Sequence, residues 1–99
     1  MKKIFISQPM KGKSNEEIKK ERELIINDIE AIMEDEQFVI LDTVFEDFKG
    51  ATPLKFLAKS LMVLADADYV YFAEGWEEAR GCRIEHECAL EYRITLLED

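Results

Sequence analysis

The chain has 99 residues, 47% of them hydrophobic, which is enough for one domain. Its net charge of −9 argues against a nucleic-acid polymer as partner, because such a chain gains no counterion release on DNA or RNA; an anionic monomer held by a local loop stays open. No run of about 18 apolar residues occurs, so neither a membrane span nor a membrane partner is expected, and the apolar stretch after Met1-Lys2-Lys3 is too short for a signal-peptide core.

Lys2–Ser7 reads as a short, buried strand. Ser7-Gln8-Pro9-Met10-Lys11-Gly12-Lys13 is a loop punctuated by Pro and Gly. Ser14 then caps a helix, and Glu17 completes a capping box. Ile18, Ile25, Ile29, Ile32 and Met33 recur at helical spacing and form its inner face. The acidic residues of Asn15–Glu36 read as a solvated helix face. A second strand is expected within Gln37–Thr43, followed by a loop over Val44–Gly50 that contains Phe45 and Phe48. Thr52-Pro53 is an N-cap with a first-turn proline. The helix that follows runs through Phe56, Leu57, Ser60, Leu61 and Leu64. Asp68–Ala73 is a third strand. Glu74–Arg80 is a loop holding the only tryptophan, Trp76. A helix from about Gly81 to Tyr92 and a final strand at Ile94–Leu97 complete the chain.

The alternation β-α-β-α-β-α-β implies right-handed crossovers and a parallel sheet. The expected fold is α/β: a three-layer Rossmann/flavodoxin-like domain with a short, mainly parallel sheet of four strands, one domain over residues 1–99. Its exposed edges and thin helix cover point to a homo-oligomer. Ligands of such folds bind beyond the carboxyl ends of the strands. Cys82 and Cys88 point in different directions on one helix and cannot bridge; two free thiols fit a cytoplasmic protein.

The residues most able to do chemistry lie in Gly81–Ala89. At about 100° per residue, Cys82, Ile84, Cys88, Ala89 and Tyr92 fall on one side of a helix, and Glu85 falls inside that apolar arc. A carboxylate turned inward is costly unless paired or used. Near the helix start the partial positive charge favours its ionised form, as a nucleophile or general base requires. A salt bridge to Arg80 or Arg83, or a helix-edge position with the head group in water, are the plainer alternatives. Gly81 leaves room for a ligand. In the first loop, backbone amides with Lys11 and Lys13 are suited to a phosphate or sugar hydroxyls, and Gln8 to a base or ribose; a plain connection is the alternative. No cofactor fingerprint is present. Cys82 and His86 share a face but Cys88 points away, so no metal site is expected; His86 reads as a surface residue. Trp76 either stacks on a base and covers the site or packs on the helix that follows. Tyr69 and Tyr71, alternating with Val70, are expected to pack against helices.

The stretch Ala67-Asp68-Tyr69-Val70-Tyr71-Phe72-Ala73, followed by Gly81, Glu85 and Ala89 spaced four apart, resembles the nucleoside 2-deoxyribosyltransferase superfamily, which includes the 2'-deoxynucleoside 5'-monophosphate N-hydrolases. Ile4-Phe5-Ile6-Ser7-Gln8-Pro9-Met10-Lys11-Gly12 is similar to its first strand and substrate loop. Ser7-Gln8-Pro9-Met10, Lys59-Ser60-Leu61 and Gly75-Trp76-Glu77 are similar to a family of small bacterial and phage proteins of unassigned function within it. The resemblance implies an N-glycosidase or 2-deoxyribosyltransferase, without cofactor, in which Glu85 attacks the anomeric carbon of a nucleoside or nucleotide. It implies substrate contacts from Ser7, Gln8, Lys11, Gly12, Trp76 and Gly81. Two positions depart from the nucleotide hydrolases: Ser60 stands where they carry an Asp, and Gln8-Pro9 where a Gly-Ser pair is usual. These departures keep a non-catalytic nucleotide-binding module in view. An interaction protein that uses its acidic helix is the third reading.

Overall fold

The computed structural model describes residues 1–43 and 48–98. In chain order the elements are β1 (Lys2–Ser7), α1 (Asn15–Met33), β2 (Phe38–Ile40), α2 (Pro53–Leu64), β3 (Tyr69–Phe72), a 3-10 turn (Trp76–Glu78), α3 (Arg80–Glu91) and β4 (Thr95–Leu96). The strands form one sheet in the order β2-β1-β3-β4, and every pairing is parallel. The three-layer α/β fold expected from the alternation is the one observed.

The two faces of the sheet follow from the period of two in β1. Ile4 and Ile6 point to one side and pack with Ile25, Ile29 and Met33 of α1. Tyr69 and Tyr71 pack against this cluster, as their alternation with Val70 suggested. Phe5 and Val70 point to the other side and meet Leu64 of α2 and Ala89 of α3. α1 therefore covers one face, and α2 with α3 covers the other.

Local signals place the helix starts. The Ser14 hydroxyl accepts from the Glu17 backbone N–H at 3.1 Å, and the Glu17 carboxylate accepts from the Ser14 N–H at 3.2 Å. Thr52 accepts from the Lys55 N–H at 3.2 Å, with Pro53 opening α2. On α1, Ile18, Ile25, Ile29 and Met33 are buried and Ile32 is half-buried. On α2, Leu64 is buried, while Phe56, Leu57, Ser60 and Leu61 are half-buried. Leu54 and Met62 of α2, and Leu90 and Tyr92 at the end of α3, are exposed.

Some boundaries differ from expectation. β2 spans three residues rather than Gln37–Thr43, because this edge strand has only β1 to pair with; its ladder runs one bond further, from the Leu41 N–H to the Ile4 carbonyl at 2.9 Å. The expected loop before α3 contains a 3-10 turn, entered through Gly75 at φ 87°. Phe45 lies outside the described residues. No helix among the described residues is long and apolar enough to cross a membrane.

β1 leads through α1 to β2 on one side, and β3 leads through α3 to β4 on the other. The connections of two neighbouring strands thus diverge, and a crevice opens at their carboxyl ends. Ser7 is paired with Phe72 there, and the Ala73 N–H donates to the Ser7 carbonyl at 2.9 Å.

Candidate active site

Glu85 faces this crevice. Cys82, Glu85 and Ala89 are the buried residues of α3, at the i, i+3, i+7 spacing of one helix face. The apolar arc expected from the helical wheel is thus displaced: Ile84 and Tyr92 lie outside it, and Glu85 stands at its centre. Glu85 is 7% exposed, and its Oε1 accepts a hydrogen bond of 2.8 Å from Ser7 Oγ. Ser7, 1% exposed, is the last residue of β1. Strand and helix, 78 residues apart in sequence, thus meet at one buried hydrogen bond.

The carboxylate's partner is a hydroxyl, not a cation. Arg83, one of the two ion-pair candidates, donates from Nη1 to the Glu77 carbonyl at 3.0 Å, and Arg80 is exposed. The expectation that the helix start would favour the ionised form is overturned. Burial pushes the Glu85 carboxyl from an ordinary 4.5 up to about 7, and the Ser7 hydrogen bond opposes this only in part. The reason is positional. α3 begins at Arg80, so Glu85 sits in the second turn, where the helix dipole has faded and desolvation dominates.

Cys82, one turn earlier, also meets the Ser7 side chain. Burial pushes its thiol up, as does the charge of Glu85, while the Ser7 hydrogen bond and Lys13 act the other way. Ser7 therefore bridges the two buried groups of α3. Cys88 packs instead in the core shared with α2, and His86 enters a ring stack, so these three side chains do not converge.

That stack corrects the reading of His86 as a surface residue. The His86 ring lies 4.1 Å from the Trp76 ring, stacked at 19°, and 4.9 Å from Phe72, edge-on. Trp76 thus packs on the helix that follows. It also lies 5.3 Å from Phe72 at the carboxyl end of β3. The stack fixes the loop between β3 and α3 beside the crevice. At Gly75 a β-carbon would come within 3.9 Å of the Pro9 ring, so the loops after β1 and β3 approach each other there.

In the first loop, Lys11 and Gly12 are exposed, and Gly12 has the positive φ (79°) that favours glycine. Lys13, expected to face a phosphate, pairs with Glu21 at 2.8 Å. Gln8 is 5% exposed, and its amide Nε2 donates to the Ile18 carbonyl of α1 at 2.9 Å. Gly81 faces α2, where a β-carbon would make an ordinary contact with Leu57 at 3.9 Å.

Two polar residues outside the Ser7–Glu85 pair are drawn inward, Arg22 and Thr43. Arg22 of α1 is half-buried and donates from Nη2 to the Leu41 carbonyl at 3.2 Å. Burial lowers its pKa, and Asp42 acts against that shift. Thr43 is buried just beyond β2.

Fold and site together define a parallel α/β domain with a buried, hydroxyl-bound carboxylate at its switch-point crevice. The chain belongs to the family described as Domain of unknown function (DUF4406), whose model matches residues 2–98. No curated protein and no solved structure matches it.

Proposed function

We propose that the protein is an N-glycosidase or deoxyribosyltransferase acting on a small nucleoside or nucleotide, with Glu85 as nucleophile. The observation that carries this reading is the buried Glu85 carboxylate, held by Ser7 at the crevice between β1 and β3. A carboxylate in a desolvated cleft with one hydroxyl donor is more reactive than one neutralised by an arginine. The resemblance of the Gly81–Ala89 stretch and of the first loop to the nucleoside 2-deoxyribosyltransferase superfamily supports the same chemistry.

In this reading a Glu85 oxygen bonds to the anomeric carbon as the carbon–nitrogen bond breaks. The base leaves with the bonding pair and takes a proton from solvent. Water, or a second base, then attacks the same carbon and frees Glu85, with net retention of configuration. Ser7 holds the reacting carboxylate in one orientation. Gln8, Lys11 and Gly12 contribute substrate contacts from the first loop, and Trp76 walls the opposite side.

Base release measured by chromatography over a panel of deoxy- and ribonucleosides and their monophosphates tests the proposal. Wild-type protein is expected to release free base, and Glu85→Ala to lower the rate on the order of 10³-fold or more. Equal release by both proteins would overturn it. A second reading, a nucleotide-binding module without turnover, is favoured by one feature: Ser60 on α2 is no carboxylate, so it cannot supply a carboxylic acid or base. It requires saturable nucleotide binding with no base released.

A further inference from the structure

α2 is more exposed than its composition suits. Lys55, Lys59 and Ser60 are its only polar residues, yet among the described residues of this helix Leu64 alone is buried. A helix that is apolar on nearly every side is ordinarily covered on every side. Met62, on its outer face, is 74% exposed.

Beside α2 runs a groove of about 450 Å³, lined by Leu61, Leu64 and Ala65, by Cys88 of α3, and by Tyr92 and Ile94 just beyond it. The helices run opposite to the parallel strands they connect. The groove, at the carboxyl ends of α2 and α3, therefore lies at the end of the sheet away from the Ser7–Glu85 crevice. Ile84, Cys88 and Tyr92 recur every four residues along the side of α3 turned to α2. Ile84 and Tyr92 are exposed, Tyr92 at 80%. Uncovered apolar surface thus continues from α2 across the groove to α3, and contiguous surface of this kind marks an interaction site.

The charge pattern selects what covers it. The chain's net charge is −9, but both charges of α2 are lysines. Lys55, Lys59, Met62 and Asp66 follow at the spacing i, i+4, i+7, i+11 of one helix face, and all four are exposed. Asp66 continues the stripe because Ala65 keeps helical backbone angles, φ −60° and ψ −23°. The stripe is positive at its start and negative just past its end, so laid antiparallel it is its own complement. A twofold axis passing between Ser60 and Leu61 sets Lys55 against the partner's Asp66 and Asp66 against the partner's Lys55, with Met62 near the axis. The sheet separates α2 from the acidic α1, so the two α1 helices of such a pair point away from each other. A uniformly acidic partner face would match the lysines and repel Asp66.

We propose that the protein forms a twofold-symmetric dimer through antiparallel α2 helices, the second copy closing the groove between α2 and α3. The proposal does not depend on the N-glycosidase reading and is tested without substrate.

The test is sedimentation equilibrium over about 1 to 200 μM protein, comparing wild type with Met62→Glu, Lys55→Asp, Asp66→Lys and the double variant that carries both charge reversals. Wild-type protein is expected to be dimeric at the upper concentration and to dissociate on dilution. Met62→Glu should raise the dimer Kd about a hundredfold, since it sets two charges near the axis. Each single reversal should raise it about tenfold, because every change occurs twice across the axis. The double reversal should return to within about threefold of wild type. Circular dichroism of each variant is expected to match wild type, as all three positions are exposed. The double variant also controls for misfolding, since it contains both substitutions. A wild-type monomer at about 200 μM would overturn the proposal and leave the face to a different protein. So would association growing past the dimer, a dimer indifferent to Met62→Glu, or single reversals that the double reversal does not rescue.

Discussion

At the scale of single residues, the Ser7–Glu85 hydrogen bond sets how the site responds to pH. Glu85 reacts as the carboxylate, and its carboxyl titrates at about 7. In the glycosidase reading, kcat/KM therefore rises with pH through about 7 on its acid limb. Ser7 opposes the shift caused by burial, because its hydroxyl donates to the charged form. Replacing Ser7 by Ala removes that donor and pushes the Glu85 carboxyl further up. The acid limb then moves to higher pH, and the rate at pH 7 falls about tenfold. A pH–rate profile of Ser7→Ala beside wild type checks both effects. A lower rate with an unmoved limb would show that Ser7 acts on the substrate and not on Glu85.

At the scale of elements, the caps and the aromatic stack make separable contributions. Ser14→Ala removes one half of a two-sided capping box and is expected to cost about 1 kcal/mol in urea unfolding, with the site unaffected. Trp76→Ala removes the ring stacked on His86 and frees the loop that borders the crevice. Its stability loss should exceed that of Ser14→Ala, because both ring contacts and buried area are lost together. Thermal unfolding of the two variants side by side orders them. The same division explains what the sequence made legible. The Ser14 box and the Thr52-Pro53 start could be read because cap and partner lie within a few residues of each other. The inward turn of Glu85 followed from helical spacing alone. The partner of Glu85 did not, because Ser7 is brought to it by the sheet. The His86 stack depends on a 3-10 turn that no local pattern announced, and the short β2 on which partner strand it meets. The ionisation of Glu85 was misread for a related reason. A helix start is visible in sequence, whereas the burial that outweighs it comes from tertiary packing.

At the scale of the whole molecule, Glu85 ties the site to the stability of the fold. Its carboxyl titrates near 4.5 in the unfolded chain and at about 7 in the folded one. Between those values the folded protein binds more protons than the unfolded one, so this group makes stability fall as pH rises. Below the lower value there is no penalty; above the upper value the penalty is constant, on the order of 3 kcal/mol. The chain has 22 acidic residues, so the wild-type curve alone does not isolate the effect of this one. Glu85→Gln does. The amide is neutral at every pH, has nearly the same shape, and still offers an oxygen to the Ser7 hydroxyl. Urea unfolding of both proteins at several pH values gives a difference in which the shared carboxylates cancel. That difference is expected near zero at pH 4 and to grow in favour of Glu85→Gln to about 3 kcal/mol by pH 8. A flat difference would mean that the carboxylate is solvated in solution and lacks the desolvation on which its proposed reactivity depends. A rising difference accompanied by loss of base release would identify Glu85 as a residue kept at a cost to the fold because the chemistry requires it.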